Sequence, residues 1–153
     1  MWGICQLRAI LQRVKGACIK VDHEVVGSIK EGWYVLLGVH QEDSAADADW
    51  LAKKILTLRC FDENGNTVSA TDANKEILVA SQFTLFASTK KGSRPFYGDA
   101  ARPDQAEEML ELFMENLRAS GLRVESGVFG AYMQADLQTS GPITLALDSK
   151  VRC

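Results

Sequence analysis

WYVLLGVH, residues 33–40, is an almost unbroken apolar run of strand length. Such a run is buried on both faces and marks a central strand. The period then changes. After Ser44, the apolar positions Ala48, Leu51, Ala52, Ile55 and Leu58 recur at intervals of three and four, which is one face of a helix. Ser44, with Asp47 three residues on, forms a capping box that satisfies the free amides of the first turn. Upstream, RAILQRVK (8–15) and ACIKVD (17–22) read as two strands. EVVGSI (24–29) follows the short polar turn Asp22-His23, as the second arm of a hairpin would.

Downstream, residues 62–66 (DENGN) form a turn, because Asn-Gly accepts positive φ. Residues 76–86 (EILVASQFTLF) read as a strand running into a loop, and residues 89–103 are the longest irregular stretch. A second helix starts near Asp104, with the apolar stripe Ala106, Met109, Leu110, Phe113 and Leu117, and stops at Gly121. Its outer face carries Glu107, Glu108, Glu111 and Glu115. Residues 122–125, 132–138 and 143–147 finish the chain as strands. The order predicts one β-rich α/β domain with antiparallel hairpins and two helices packed on the sheets.

At 153 residues the chain is one domain's length and buries a core without staples. No apolar run approaches the roughly 18 residues of a membrane span, and residues 1–7 do not read as a signal peptide. The four cysteines, Cys5, Cys18, Cys60 and Cys153, form no C-x-x-C pair and have no His at ligand spacing. They read as reduced thiols of a cytosolic protein, and no metal site is expected. The net charge of −3 argues weakly against a nucleic-acid partner. Local charge differs: residues 89–103 hold Lys90, Lys91, Arg94 and Arg102 against Asp99 alone. On charge alone this is a solvated loop.

The standard catalytic signals are missing: no G-x-S-x-G elbow, phosphate-binding glycine loop or H-E-x-x-H. His23 falls in a turn and His40 caps a buried strand, so neither is expected to be a catalytic base. Two segments remain. Ser81-Gln82-Phe83-Thr84-Leu85 follows an apolar strand, where small polar groups and free amides are held rigidly. Alternation alone predicts that the strand continues, with Phe83 and Leu85 inward. Ser140-Gly141-Pro142-Ile143-Thr144 reads as a turn between two strands.

SQFTL (81–85), KKGSRP (90–95) and GPIT (141–144), in that order, resemble the D-aminoacyl-tRNA deacylase family. RAILQRV (8–14), VVGSI (25–29), VLLGV (35–39) and SGVFGAYMQ (126–134) fit the same family. The resemblance spans residues 8–149 and leaves 1–7 as an extension and 150–153 as a tail. Thr139 departs from it, standing near a position where an Asn is common in the family.

The resemblance implies barrel-like packed sheets and hydrolysis of the ester joining a D-amino acid, or mischarged glycine, to the 3′ end of tRNA in the cytoplasm. It implies a homodimer with an active site at each subunit interface, and no cofactor, metal or membrane. Ser81, Gln82, Phe83 and Thr84 would be catalytic, with backbone amides near Phe83 and Thr84 binding the oxyanion. Thr84 would position substrate or, at most, serve as a contested nucleophile. Gly141 and Pro142, joined by a cis bond, would enter the partner's site as the chiral wall. Arg13 would brace that loop, supported by Thr144; the residue-level alternative for Arg13 is a strand-end salt bridge. Phe129 and Met133 would line the pocket, or else pack the core. Lys90, Lys91 and Arg94 would hold tRNA phosphates.

Overall fold

The computed structural model describes residues 7–151, so Cys5, Cys153 and residues 1–6 of the expected extension at 1–7 lie outside the described residues. β1 (Arg8–Val21) is one long strand rather than two. Gly16 marks a register shift, not a break, because β8 (Gln134–Asp148) pairs with β1 along its whole length. β8 takes one edge of β1. The other edge is shared by β3 (Gly32–Gly38), opposite Arg8 to Val14, and β2 (Glu24–Ile29), opposite Ala17 to Val21. The β1–β2 turn has positive φ at both Asp22 and His23, as a tight two-residue hairpin requires.

From β3 the chain passes through α1 (Ala45–Thr57) and the small hairpin β4 (Arg59–Glu63) and β5 (Asn66–Ser69). It returns as β6 (Glu76–Ser81), parallel to β3. α2 (Pro103–Arg118) then leads to β7 (Val124–Ser126), parallel to β6. The main sheet therefore mixes the expected antiparallel pairs with two parallel crossovers. β2 folds over towards β7: a Cβ on Gly27 would lie 2.5 Å from the Ser126 carbonyl oxygen. The sheet is nearly closed, like a barrel.

β3 is buried on both faces, as its composition predicts. Trp33, Val35 and Leu37 join Ile77 and Val79 of β6 in the main core, with Leu51 and Ile55 of α1 and Phe113 and Leu117 of α2. Tyr34 joins Leu78, Ala80, Val14 and Ile19 in a second core on the opposite face. Both capping-box bonds at Ser44 and Asp47 are present. α2 opens on Pro103, whose fixed φ suits the first helical position.

The packed unit closes on itself near its ends. Leu7 and Ser149, both fully buried, exchange hydrogen bonds. Beside them Lys150 Nζ lies 2.9 Å from Asp47 Oδ1. Asp43 is 8% exposed; its Oδ2 accepts the His40 N–H at 2.6 Å, while its Oδ1 has no partner among the described residues. Burial pushes the Asp43 carboxyl up to about 7, against the His40 bond and with help from the charge of Asp47. Its neutral form therefore contributes stability that is full below the ordinary carboxylate range and lost as pH rises through about 7. Asp47 moves the other way. Its own burial opposes ionisation, but bonds from Ser44, Lys150 and Ser149 outweigh that and hold it low, so its contribution is lost only in acid. Between pH 5.5 and 8, unfolding free energy is expected to fall by about 2 kcal/mol through Asp43. Asp43→Asn should flatten that slope in urea melts; an unaltered slope would rule out Asp43 as its source.

Candidate active site

β6 ends at Ser81, and the chain turns at once. Residues Phe83–Phe86 form a single 3-10 turn, not a continuing strand. Two contacts with β3 accompany the change. The Gln82 N–H is drawn to the Leu37 carbonyl of β3 at 2.8 Å. Gly38 also leaves room for the turn, since a Cβ there would sit 2.9 Å from Leu85 Cβ and 3.0 Å from the Gln82 carbonyl oxygen. Phe83 is consequently 55% exposed rather than inward, and Phe86 is buried in its place. The turn's internal bonds run from Leu85 N–H to the Gln82 carbonyl and from Ala87 N–H to the Thr84 carbonyl. The Phe83 and Thr84 amides, first in the turn, have no acceptor among the described residues. The Thr84 hydroxyl donates to Gln82 Oε1 at 2.6 Å.

A cavity of about 760 Å³ opens beside this turn. Ser81, Gln82 and Phe83 line one side, and Phe129 and Met133 another. Phe129 also packs on the main core and Met133 on the second, so cavity lining and core packing coexist in both side chains. The remaining wall is largely apolar, with Tyr97, Ala100 and Pro103 from the approach to α2. Phe83 and Tyr97 meet edge to face at 5.2 Å. Tyr132 stands at the rim, 88% exposed.

Gly141 and Pro142 are exposed and do not line this cavity in their own chain. Their peptide bond is cis. They do not form a turn between two strands, because β8 continues through them with four residues, 140–143, opposite Arg13 alone. The bulged segment is gripped from β1. Arg13 Nε donates to the Ser140 carbonyl at 3.2 Å, and Arg13 Nη1 to the Cys60 carbonyl at 2.6 Å. Gln12 Nε2 donates to the Ile143 carbonyl at 3.2 Å, and its Oε1 accepts from the Thr144 hydroxyl at 2.5 Å. Arg13 thus spans two carbonyls rather than forming a salt bridge.

The basic loop is pinched at its base, where Ser88 and Phe96 exchange backbone hydrogen bonds of 2.7 and 2.9 Å. Lys90, Lys91 and Arg94 lie within it, exposed, and with Arg102 have no ion-pair partner among the described residues. No group of three or more His, Cys, Asp or Glu suited to a metal ion occurs among the described residues. No helix among them is long and apolar enough to cross a membrane. His40 is buried against Phe86, with Nδ1 accepting the Glu42 N–H at 3.1 Å, which is a structural role.

A family model described as D-Tyr-tRNA(Tyr) deacylase matches residues 10–148. The chain belongs to this family. Curated D-aminoacyl-tRNA deacylases of Aquifex aeolicus and Fervidobacterium nodosum are 47% and 45% identical to it, each over 94% of this chain and 99% and 98% of their own. A solved structure named c-Myc DNA Unwinding Element Binding Protein superposes with a TM-score of 0.84 at 40% identity, covering 92% of this chain and 97% of that one. A probable eukaryotic D-amino acid tRNA deacylase has the same fold, with a TM-score of 0.83 at 16% identity over 94% and 99%.

Within this D-Tyr-tRNA(Tyr) deacylase family member, sequence reasoning missed Gln12, Gly38, Tyr97 and Tyr132. A glycine inside an apolar strand signals close backbone approach, so Gly38 was discoverable. Gln12 was not, because nothing local to it indicates a partner more than 130 residues away.

Proposed function

We propose that the protein hydrolyses the ester between a D-amino acid and the 3′ end of tRNA, and likewise releases glycine from mischarged tRNA, in the cytoplasm. The observation that carries this reading is the pair of unpartnered amides of Phe83 and Thr84 at the head of a turn beside the cavity. An aminoacyl ester is already activated. Water adds to its carbonyl carbon, the carbonyl electron pair passes to the oxygen where the two amides stabilise the charge, and the proton shed by the water is relayed through the ribose 2′-hydroxyl to the departing 3′-oxygen. The intermediate collapses, the bond to the ribose 3′-oxygen breaks, and that oxygen takes up the relayed proton. Positioning and oxyanion donors suffice, and the adjacent 2′-hydroxyl of the substrate assists.

Two subunits would build each site. Gly141 and Pro142 are exposed outside their own cavity, and β8 exposes Leu137 near them in sequence. In a homodimer this segment would enter the partner's cavity and stand where an L side chain would project. A side-chain wall can change rotamer, whereas a backbone wall braced by Arg13 and Gln12 cannot. Glycine offers no side chain to reject and passes the same filter.

The decisive experiment is release of D-Tyr from D-Tyr-tRNA by the purified protein, with L-Tyr-tRNA as control. Equal rates, or none with the D ester, would sink the reading. Thr84→Ala is expected to retain activity within about tenfold, because the Thr84 hydroxyl bonds to an amide oxygen, which is no base. A thousandfold loss, about 4 kcal/mol of barrier, would make the hydroxyl a nucleophile instead. Replacing Lys90 and Lys91 together by Ala should weaken tRNA binding and reduce its salt dependence by up to about two log units per log unit of salt. An identical slope would place the phosphates elsewhere.

A further inference from the structure

We propose that Arg8 is a positioning residue that holds the 3-10 turn in its oxyanion-binding form, with Asp148 as its anchor. This rests on the reading just given and adds a residue to it. Arg8 Nη1 donates to the Leu85 carbonyl at 3.0 Å. The guanidinium carbon lies 4.7 Å from the centroid of the Phe86 ring. Leu85 and Phe86 are the last two residues of the turn whose first two carry the free amides. No backbone N–H among the described residues bonds the Leu85 carbonyl, so Arg8 supplies the partner that a helix end otherwise lacks.

The guanidinium is itself fixed. Arg8 Nε lies 3.3 Å from Asp148 Oδ2, and Asp148 Oδ1 accepts the Lys150 and Val151 amides at 2.9 and 3.1 Å. Gly38 of β3 supports the same turn from beneath. The turn is thus held at its far end by two side chains from opposite ends of the sequence, neither of which lines the cavity. Arg8 acts through the turn and not on the substrate.

Arg8→Met keeps the stem and removes every donor; Arg8→Lys restores one. With D-aminoacyl-tRNA, Arg8→Met is expected to lower kcat about 10- to 100-fold, the scale of a small misplacement of catalytic groups. KM should stay within about twofold. Arg8→Lys should recover part of the kcat, and the ¹⁵N shifts of the Phe83 and Thr84 amides should move in Arg8→Met. Asp148→Asn should show a weaker form of the same split, and it decides the matter if Arg8→Met does not fold. Unchanged kcat and amide shifts in folded variants, or a fall in melting temperature alone, would overturn the proposal. If the unmodified protein fails to cleave the D ester, the functional reading fails, while the amide shifts still decide whether Arg8 holds the turn.

Discussion

Gly141→Ala is expected to lower kcat/KM for D-aminoacyl-tRNA by about 100-fold or more, with the melting temperature little changed. Two effects combine. Gly141 has φ of +113°, a region that a side chain disfavours. A Cβ there would also lie 2.9 Å from the Arg13 guanidinium and 3.1 Å from the Ile143 nitrogen. The guanidinium must give way, and with it the bond to the Ser140 carbonyl that fixes the bulged segment. Gly141 and Pro142 are exposed and belong to neither core, and only Ile143 at the end of the segment packs against the main core, so the folded state tolerates the shift. A chiral wall of the proposed kind would not, because a displacement of about 1 Å would misplace the D substrate and open the space meant to exclude an L side chain. Steady-state deacylation of both stereoisomers measures it. A D-to-L ratio and rate within about threefold of the unmodified protein would show that Gly141 forms no part of the filter.

Gly32→Ala is expected to have the largest effect on stability, about 3 kcal/mol or more. Gly32 opens β3 against Glu76 at the start of β6. A Cβ would overlap the Glu76 carbonyl oxygen and lie 2.7 and 2.8 Å from its carbonyl carbon and nitrogen. Every one of those atoms is backbone, so no rotamer change relieves the clash and the two strands must part. Urea denaturation should show a lower midpoint at constant slope. Activity should fall further than the folded fraction does, because β3 carries the Leu37 carbonyl that seats Gln82. A midpoint within about 0.3 M of the unmodified protein would mean that the β3–β6 pairing yields at little cost.

Elements whose pattern is local were legible in the sequence. The double-faced burial of residues 33–40, the capping box at Ser44, both helices and the Asp22-His23 turn follow from composition and spacing. What failed was long-range. Gly16 and Gly141-Pro142 look like breaks, yet β1 and β8 carry each other across them. Ser81 to Leu85 alternates like a strand, but the room for its turn is left by Gly38 on another strand. Ser81 to Leu85 and Ser140 to Thr144 stood out as a strand end and a turn, but their roles came only from the resemblance. Gln12 was invisible as a site residue, because its partners lie about 130 residues away and only tertiary pairing brings them together, whereas Gly38 inside an apolar strand signalled a close approach without naming its partner.

The pairing of β1 with β8 also sets the order of events at the ribosome. Among the described residues β1 precedes every other strand and β8 follows them all, and one full edge of β1 waits for it. During synthesis the nascent chain can close β1 against β2 and β3 and can build both helices, but it carries an open strand edge throughout, the kind of surface that recruits other chains. Arg13 likewise waits for Ser140. The loop that would judge the handedness of a substrate is therefore assembled only after every strand and helix between β1 and β8 has been made.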